Sequence, residues 1–363
     1  MPIPFFKLLQ KRFLGVDIGT SHIRIAEVSK FGHQKKLESY GEVSGSIFYE
    51  KSFRTFEKNT LVLSDQEVAR AIMATMEEAG TKTKKAIFSI PDFSTFFTSF
   101  KLPPMTEEEL PEAVKYEAKQ HTPLPLSEVV LDWQIIEKKP LDKKRTLFKI
   151  LLVAVPVEVV NQYQEIAKIA NLEPIALEAE VFSLVRALIT GSEEGPVALI
   201  DIGAQSTTCS IVDKKILKAS HSFDMSGDDL LSTLARALNI EFTEAKELKS
   251  KYGIEGKNDQ IKENGQTVKE ILLPLVDIIL REIKGILNDF EEQEKTEIKK
   301  VIVAGGTALL PGLKEYFTKS LKIETEVANP FAHIFYPTVL EKTLIKAGPS
   351  FAIAVGSALR GLE

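Results

Sequence analysis

Sulfur, extreme charge and long apolar runs are what this sequence lacks. Cys209 is its only cysteine, so neither an intrachain disulfide nor a thiolate zinc cluster can form. The five histidines (His22, His33, His121, His221, His333) are scattered, with none paired at metal-ligand spacing. A formal charge of −5 leaves no global basic field to draw the chain to nucleic acid. The longest apolar stretch, around 150–160, already contains Glu158. It is far shorter than the roughly 20 residues that span a bilayer, so no transmembrane segment is expected. Residues 1–13 mix Phe5, Phe6, Leu8 and Leu9 with Lys7, Lys11 and Arg12, without a long apolar core or a small-residue cleavage site. A secretory signal is therefore not expected. The segment reads as a leader beside the first strand, with a short membrane-surface anchor as the alternative, and the compartment reads as cytoplasm.

What is present is ordinary globular material. Hydrophobic residues make up 44% and charged residues 27% of 363 positions, a length that suits two domains. Residues 13–16 and 22–28 predict a hairpin across a glycine turn. Asp65 is placed to cap a helix with an apolar face of Val68, Ile72, Met76 and Ala79, stopped by Gly80. A strand over 86–90 ends at Pro91. Between 92 and 156 lies a distinct block. It holds a strand over 95–102 broken by Pro103-Pro104, then a helix opened by the capping box Thr106…Glu109 and running to about 120. Two more strands follow, over 129–136 and 147–155, joined by a lysine-rich turn read as a solvated tip. This is a βαββ insert. A helix over 157–170, a short strand over 175–177 and a helix marked by Val181, Leu184, Val185 and Leu188 lead to Gly191–Pro196, the best hinge in the chain. Beyond it come strands over 197–200 and 207–212, a helix over 227–239 and a polar stretch over 253–265. A long helix carries Ile271 to Phe290, a strand covers 301–304 with a helix from Pro311, and a small-residue helix covers 349–359.

The informative feature is a repeat. Phe13-Leu14-Gly15-Val16-Asp17-Ile18-Gly19-Thr20 and Val197-Ala198-Leu199-Ile200-Asp201-Ile202-Gly203-Ala204 share one pattern. In each, an apolar strand delivers an Asp and then a Gly into a tight turn. Glycine lets backbone approach an anion, and the turn amides donate to phosphate oxygens. Thr20, Ser21, Gln205, Ser206 and Thr207 add side-chain donors. An Asp beside a polyphosphate normally serves Mg²⁺ through bound waters, which assigns the cation to Asp17 and Asp201. One Asp-x-Gly turn is common; two at matching places are not. A third piece, Val303-Ala304-Gly305-Gly306-Thr307-Ala308, suits a flat base lying on bare backbone. Cys209 reads as a core side chain and Trp133 as packing. Glu178 and Glu180, two positions apart on one segment, would not flank a glycoside.

Two phosphate hairpins, a Gly-Gly base motif and two connecting helices in this order resemble the actin, heat-shock chaperone and sugar-kinase superfamily. More closely, the chain resembles the PilM family of type IV pilus assembly, and more distantly the cell-division FtsA family. The PilM likeness rests on residues 13–28, on Ser89-Ile90-Pro91 with Lys101-Leu102-Pro103-Pro104-Met105, on residues 117–125 and on residues 348–361. The resemblance implies an α/β, actin-like (duplicated ribonuclease H-like) fold with two large domains and an FtsA-type insert. The first domain is expected over 1–195, with the insert at 92–156 and residues 335–363 returning to it. The second is expected over 196–334, with a smaller subdomain at about 225–285.

The same resemblance implies ATP and Mg²⁺ as ligands. It puts Asp17, Gly19, Thr20 and Ser21 on the first phosphate loop, with Arg24 where a lysine usually reaches the phosphates. Asp201, Gly203, Ala204 and Gln205 fall on the second loop, Gly305, Gly306 and Ala308 on the adenosine motif. Glu180 falls where relatives orient the attacking water, and Lys249 on a ribose-contacting helix in which Lys246 replaces a frequent Glu, with a solvated helix face as the alternative reading of Lys249. The implied partner is the N-terminal tail of a PilN-like inner-membrane protein, held between the insert (93–125) and residues 87–90. The chain would then be a nucleotide-gated scaffold at the inner face of the membrane, hydrolysing ATP slowly at most. A small-molecule kinase of this fold and an FtsA-like polymerising tether are the alternatives. The kinase needs a general base, and no Asp beyond the two loops reads as standing at a strand end.

Overall fold

The computed structural model describes residues 11–45, 54–55, 60–61, 63–142, 145–256 and 266–363. The expected leader up to residue 10 and most of the polar stretch over 253–265 lie outside them. The predicted hairpin is β1 (Lys11–Ile18) and β2 (His22–Phe31), in register from Lys11 opposite Lys30 to Ile18 opposite Ile23. A third strand, β3 (Gln34–Ser44), extends it, and a two-residue pair follows, β4 (Arg54–Thr55) with β5 (Thr60–Leu61). Helix α1 (Asp65–Glu78) is capped by Ser64 rather than Asp65. The Ser64 hydroxyl accepts from the Glu67 amide while the Glu67 carboxylate takes the Ser64 amide, which leaves Asp65 as a favourable first-turn acid. Gly80, at φ +65°, ends the helix as expected.

Strand β6 (Lys85–Ile90) enters the sheet parallel to β1. Next comes the insert: β7 (Phe96–Met105), α2 (Leu110–His121), β8 (Val129–Pro140) and β9 (Thr146–Pro156), with sheet order β7-β9-β8. Pro103 and Pro104 do not break β7. The ladder slips between Leu102 and Met105, and the strand tolerates prolines because it lies on a sheet edge. The Thr106…Glu109 box is present, opening a 3₁₀ turn that runs into α2. Trp133 packs against the insert core with Leu131 and Ile135. Helix α3 (Val157–Ile169), strand β10 (Glu173–Ala179) and helix α4 (Glu180–Leu188) complete the first half.

The second half repeats the plan. Strands β11 (Val197–Ile202), β12 (Thr207–Asp213) and β13 (Ile216–Phe223) form an antiparallel run. Helices α5 (Gly227–Leu238), α6 (Phe242–Tyr252) and α7 (Val268–Glu294) cross over to β14 (Lys300–Ala304), which lies parallel to β11. Helix α8 (Leu313–Leu321) leads to β15 (Glu324–Val327). The final helix, α9, spans Glu341–Arg360 with Pro349 inside it, so it begins well before the expected start at that proline. The sheets read β3-β2-β1-β6-β10 and β13-β12-β11-β14-β15. These are the same order, with the same parallel and antiparallel neighbours.

Each sheet has its own core: Val16, Phe88 and Tyr163 in the first, Ile200, Ile283 and Phe317 in the second. Between them a third cluster joins Val181 and Leu184 of α4, Ala352 and Ile353 of α9, Leu199 and Ile302 of the second sheet, and Leu151 of the insert. Close approach is built in by two glycines. A methyl on Gly15 would overlap the Ala354 carbonyl of α9, and one on Gly356 would overlap the Ser183 carbonyl of α4. Small residues thus let α9 lie directly on β1 and α4.

Candidate functional site

The two β-hairpin turns have the same geometry. Gly19 N–H donates to the His22 carbonyl (3.0 Å) and Gly203 N–H to the Ser206 carbonyl (2.9 Å). In both, an added Cβ would press on that same carbonyl, at 3.0 and 3.1 Å, so a side chain would push the turn open by a few tenths of an ångström. The turns face each other across a cleft of about 1010 Å³ between the halves. Asp17, Gly19, Thr20, Ser21, Arg24, Glu180, Asp201, Gly203, Ala204, Lys249, Gly305 and Gly306 all line it. Gln205 sits in the second turn but outside this lining, and Ala308 is buried in the second core.

The second turn rests on α5. Gly227 N–H donates to the Gly203 carbonyl and Asp228 N–H to the Ala204 carbonyl, both at 2.9 Å. Lys249, on α6, donates to the Gly227 carbonyl (2.8 Å); burial pushes its amine down to about 8, against the opposing pull of Asp228. It is therefore packed into the cleft wall, not a solvated face. Gly305, at φ +86°, stands where any side chain would overlap the Asp201 carboxylate. Its N–H is taken by the Pro349 carbonyl of α9 (2.9 Å), so the glycine pair is closed by α9 and the next helix starts only at Leu313. Arg24 reaches the cleft, yet its guanidinium bonds Glu42 (3.2 Å) and lies 6.0 Å from the Phe351 ring centroid.

Four acids converge. Ser89 Oγ donates to Asp17 Oδ1 (3.0 Å), orienting a carboxylate that is 3% exposed. Burial and then Asp17 push Asp201 up to about 7, against the Arg24 charge. Glu180 is pushed well above the carboxylate range by burial, then by Asp17, Asp92 and Asp201. Asp92 was invisible to the sequence reading, which found no further Asp at a strand end. It stands just past β6, its carboxylate accepts the Val181 amide of α4 (3.1 Å), and its own amide donates to Glu180 (3.3 Å). Burial pushes it up to about 7, with Asp201 adding to the rise. The run Ile90-Pro91-Asp92 was the available signal.

Lys246 and Thr307, named with their motifs, line the cleft; sequence reasoning missed Asp228, Asp229, Phe242 and Ser350, which line it because α5, α6 and α9 fold over it. His22 lines it too, bonded to Ser21 Oγ through Nδ1 (2.8 Å), and burial followed by Arg24 pushes its imidazole down to about 4. Glu178, in contrast, is held by both terminal nitrogens of Arg186 (2.6 and 3.0 Å) and takes no part in the cleft. The thiol of Cys209 is buried and pushed up to about 12. Residues 87–90 form the interior of a central strand with at most 2% exposure, so they cannot line a partner groove. Among the described residues, no helix is long and apolar enough to cross a membrane.

Two sheets of identical order whose paired Asp-x-Gly hairpins close on one cleft define an actin-like, two-domain protein. Over residues 15–362 the chain matches the family described as type IV pilus assembly protein PilM, and it belongs to that family. A solved PilM–PilN type IV pilus biogenesis complex superposes with a TM-score of 0.82 at 24% identity, covering 96% of this chain and 98% of the other. MreB 5 of Spiroplasma citri bound to AMPPNP gives 0.51 at 11% identity, covering 96% and 95%. The cell division protein FtsA of Enterococcus faecalis is 21% identical over 353 residues, covering 86% of this chain and 78% of that protein.

Proposed function

We propose that this chain is a nucleotide-gated scaffold of type IV pilus assembly. It binds Mg-ATP in the cleft and the N-terminal tail of a PilN-like inner-membrane protein at the insert, on the cytoplasmic face of that membrane. The observation that carries the nucleotide half is the pair of matching turns, Gly19 to His22 and Gly203 to Ser206, facing across one cleft. Their bare backbone admits phosphate oxygens, and the α5 N-terminus lies directly behind the second turn. The acids fit Mg²⁺: Asp17 raises the proton affinity of both Asp201 and Glu180, Asp201 adds to that of Glu180, and a divalent cation relieves that repulsion. Bound there, Mg²⁺ would neutralise phosphate charge. AMPPNP in the MreB 5 structure supports the same ligand class.

Gly305 and Gly306 would take the base, and Lys249 the ribose edge. Glu180 would orient water, but burial favours its protonated form, which keeps hydrolysis slow. Asp92 is no acceptor-side base for a kinase, since its carboxylate caps α4. The solved PilM–PilN complex supports the partner. On the insert, Tyr116, Leu124 and Val130 are exposed apolar side chains able to receive an apolar tail.

Calorimetric titration with the PilN-like tail peptide, with and without Mg-ATP, tests the whole reading. Saturable binding whose affinity changes with nucleotide is the expected result. ATP binding without any peptide binding would remove the scaffold half and redirect attention to polymerisation.

A further inference from the structure

The insert is attached to both halves of the molecule. At its root, Asp92 exchanges two hydrogen bonds with α4, accepting from the Val181 amide and donating its own amide to the Glu180 carboxylate, and Phe97 of β7 meets Phe182 edge-on, with ring centroids 6.3 Å apart. At its far face, Lys149 of β9 reaches Glu294, the last residue of α7, at 2.6 Å. Lys218 of β13 donates to the Ile136 carbonyl of β8 (3.4 Å). Ile136, Leu151 and Val153 of the insert share one apolar cluster with Ile216 and Leu217 of β13.

The ionic contact answers a local need. Helix α7 ends in Glu291, Glu292 and Glu294 with no basic residue in its last turn, so its acidic end adds to the negative pole of the helix. The missing cations come mainly from across the interface: Lys149 of the insert first, then Lys218 of the neighbouring β13 and Lys101 of the insert, hold the Glu294 carboxyl below its ordinary range. Lys149 is 17% exposed and Glu294 38%, so the pair is sheltered better than a free surface bridge.

We propose that this double attachment makes the insert a mechanical reader of the cleft. Its root is tied to α4 beside the carboxylates and its far face is tied to the second half, so movement between the halves is passed to its partner-binding surface. The inference rests on the nucleotide-gated reading above. If the halves shift when nucleotide binds, the insert must follow one half and strain its bond to the other. Of the contacts to the second half, the Lys149–Glu294 bridge is the one whose charges can be exchanged, and so the one that can be tested.

The test uses the full chain, Mg-ADP and a synthetic peptide of the PilN-like tail. In the parent protein, Mg-ADP is expected to change peptide affinity about tenfold. Lys149→Glu and Glu294→Lys should each bring that ratio to within about twofold while leaving Mg-ADP affinity unchanged. Combining both, which restores the bridge with its charges exchanged, should recover the ratio. A bridge that served stability alone would shift peptide affinity equally in both nucleotide states and leave the ratio intact, and that result would overturn the proposal. So would failure of the double exchange to recover it. Mg-ADP binding is measured separately: its absence in the parent chain removes the nucleotide reading, and this inference with it. Normal binding with unaltered ratios removes the inference alone.

Discussion

At the residue scale, Asp17 and His22 separate the chemistry of the cleft from the stability of the fold. Asparagine at position 17 keeps the acceptor for Ser89 Oγ but removes a charge that raises both Glu180 and Asp201. Asp17→Asn should therefore raise the melting midpoint of the nucleotide-free chain while weakening Mg-ATP at least about tenfold. Opposite signs are the mark of a site strained for a cation; a drop in both would make Asp17 merely structural. His22 runs the other way with pH. Its folded value is about 4 and its ordinary value 6.5, through burial and then Arg24 and Lys246, with Glu42 opposing. Between those pH values the unfolded chain takes a proton that the folded chain refuses. The stability His22 contributes is thus present above pH 6.5 and lost as pH falls towards 4, on the order of 3 kcal/mol. Thermal melts of His22→Gln should lose less than the parent between pH 7 and pH 4.5. Equal losses would place the acid sensitivity elsewhere. Asp17 was legible in the sequence because its turn chemistry is local, whereas Asp92 acquires its meaning from Val181, 89 positions away.

At the element scale, what could be read was what carries its own periodicity. The long α7 stripe, the hairpins and the βαββ order of the insert all follow from local pattern. Strands β3, β13 and β15 escaped because each has a half-exposed or very short sequence with no clear alternation. Prolines misled twice: Pro104 lies on an edge strand, and Pro349 lies inside α9, where its carbonyl serves Gly305. The glycines explain why α9 sits where it does. Ser183 and Ser357 hydroxyls meet at 2.9 Å and Arg186 bonds the Gly356 carbonyl at 3.1 Å, leaving no room for a methyl at position 356. Gly356→Ala, although neutral for helix propensity or better, should cost at least about 2 kcal/mol through overpacking. A denaturant titration showing unchanged midpoint would mean that α4 and α9 are looser than this packing allows.

At the scale of the whole molecule, the kind of motion follows from the core between the halves. A free hinge needs a thin connection, yet here α4, α9, the second sheet and the insert share one buried cluster. Continuous packing of that sort permits small sliding of helices, about 1–2 Å, and resists wide opening. The α4–α9 contact, closely packed and hydrogen-bonded at Gly356, Ser357 and Ser183, belongs to this packing and limits any sliding to small steps. Cleft closure is accordingly expected to be a shear. Spin labels on cysteines placed at the exposed positions Lys168 and Lys319, one in each half, would measure it. Cys209 is buried with a thiol pushed up to about 12, so it should stay unlabelled. Mg-ADP should move the mean label separation by only a few ångströms, with one narrow distribution in each state. A displacement of about 10 Å or more would require the shared cluster to part, and would replace the shear by a hinge. That result would also bear on the insert, because the Lys149–Glu294 bridge could not survive so large a swing.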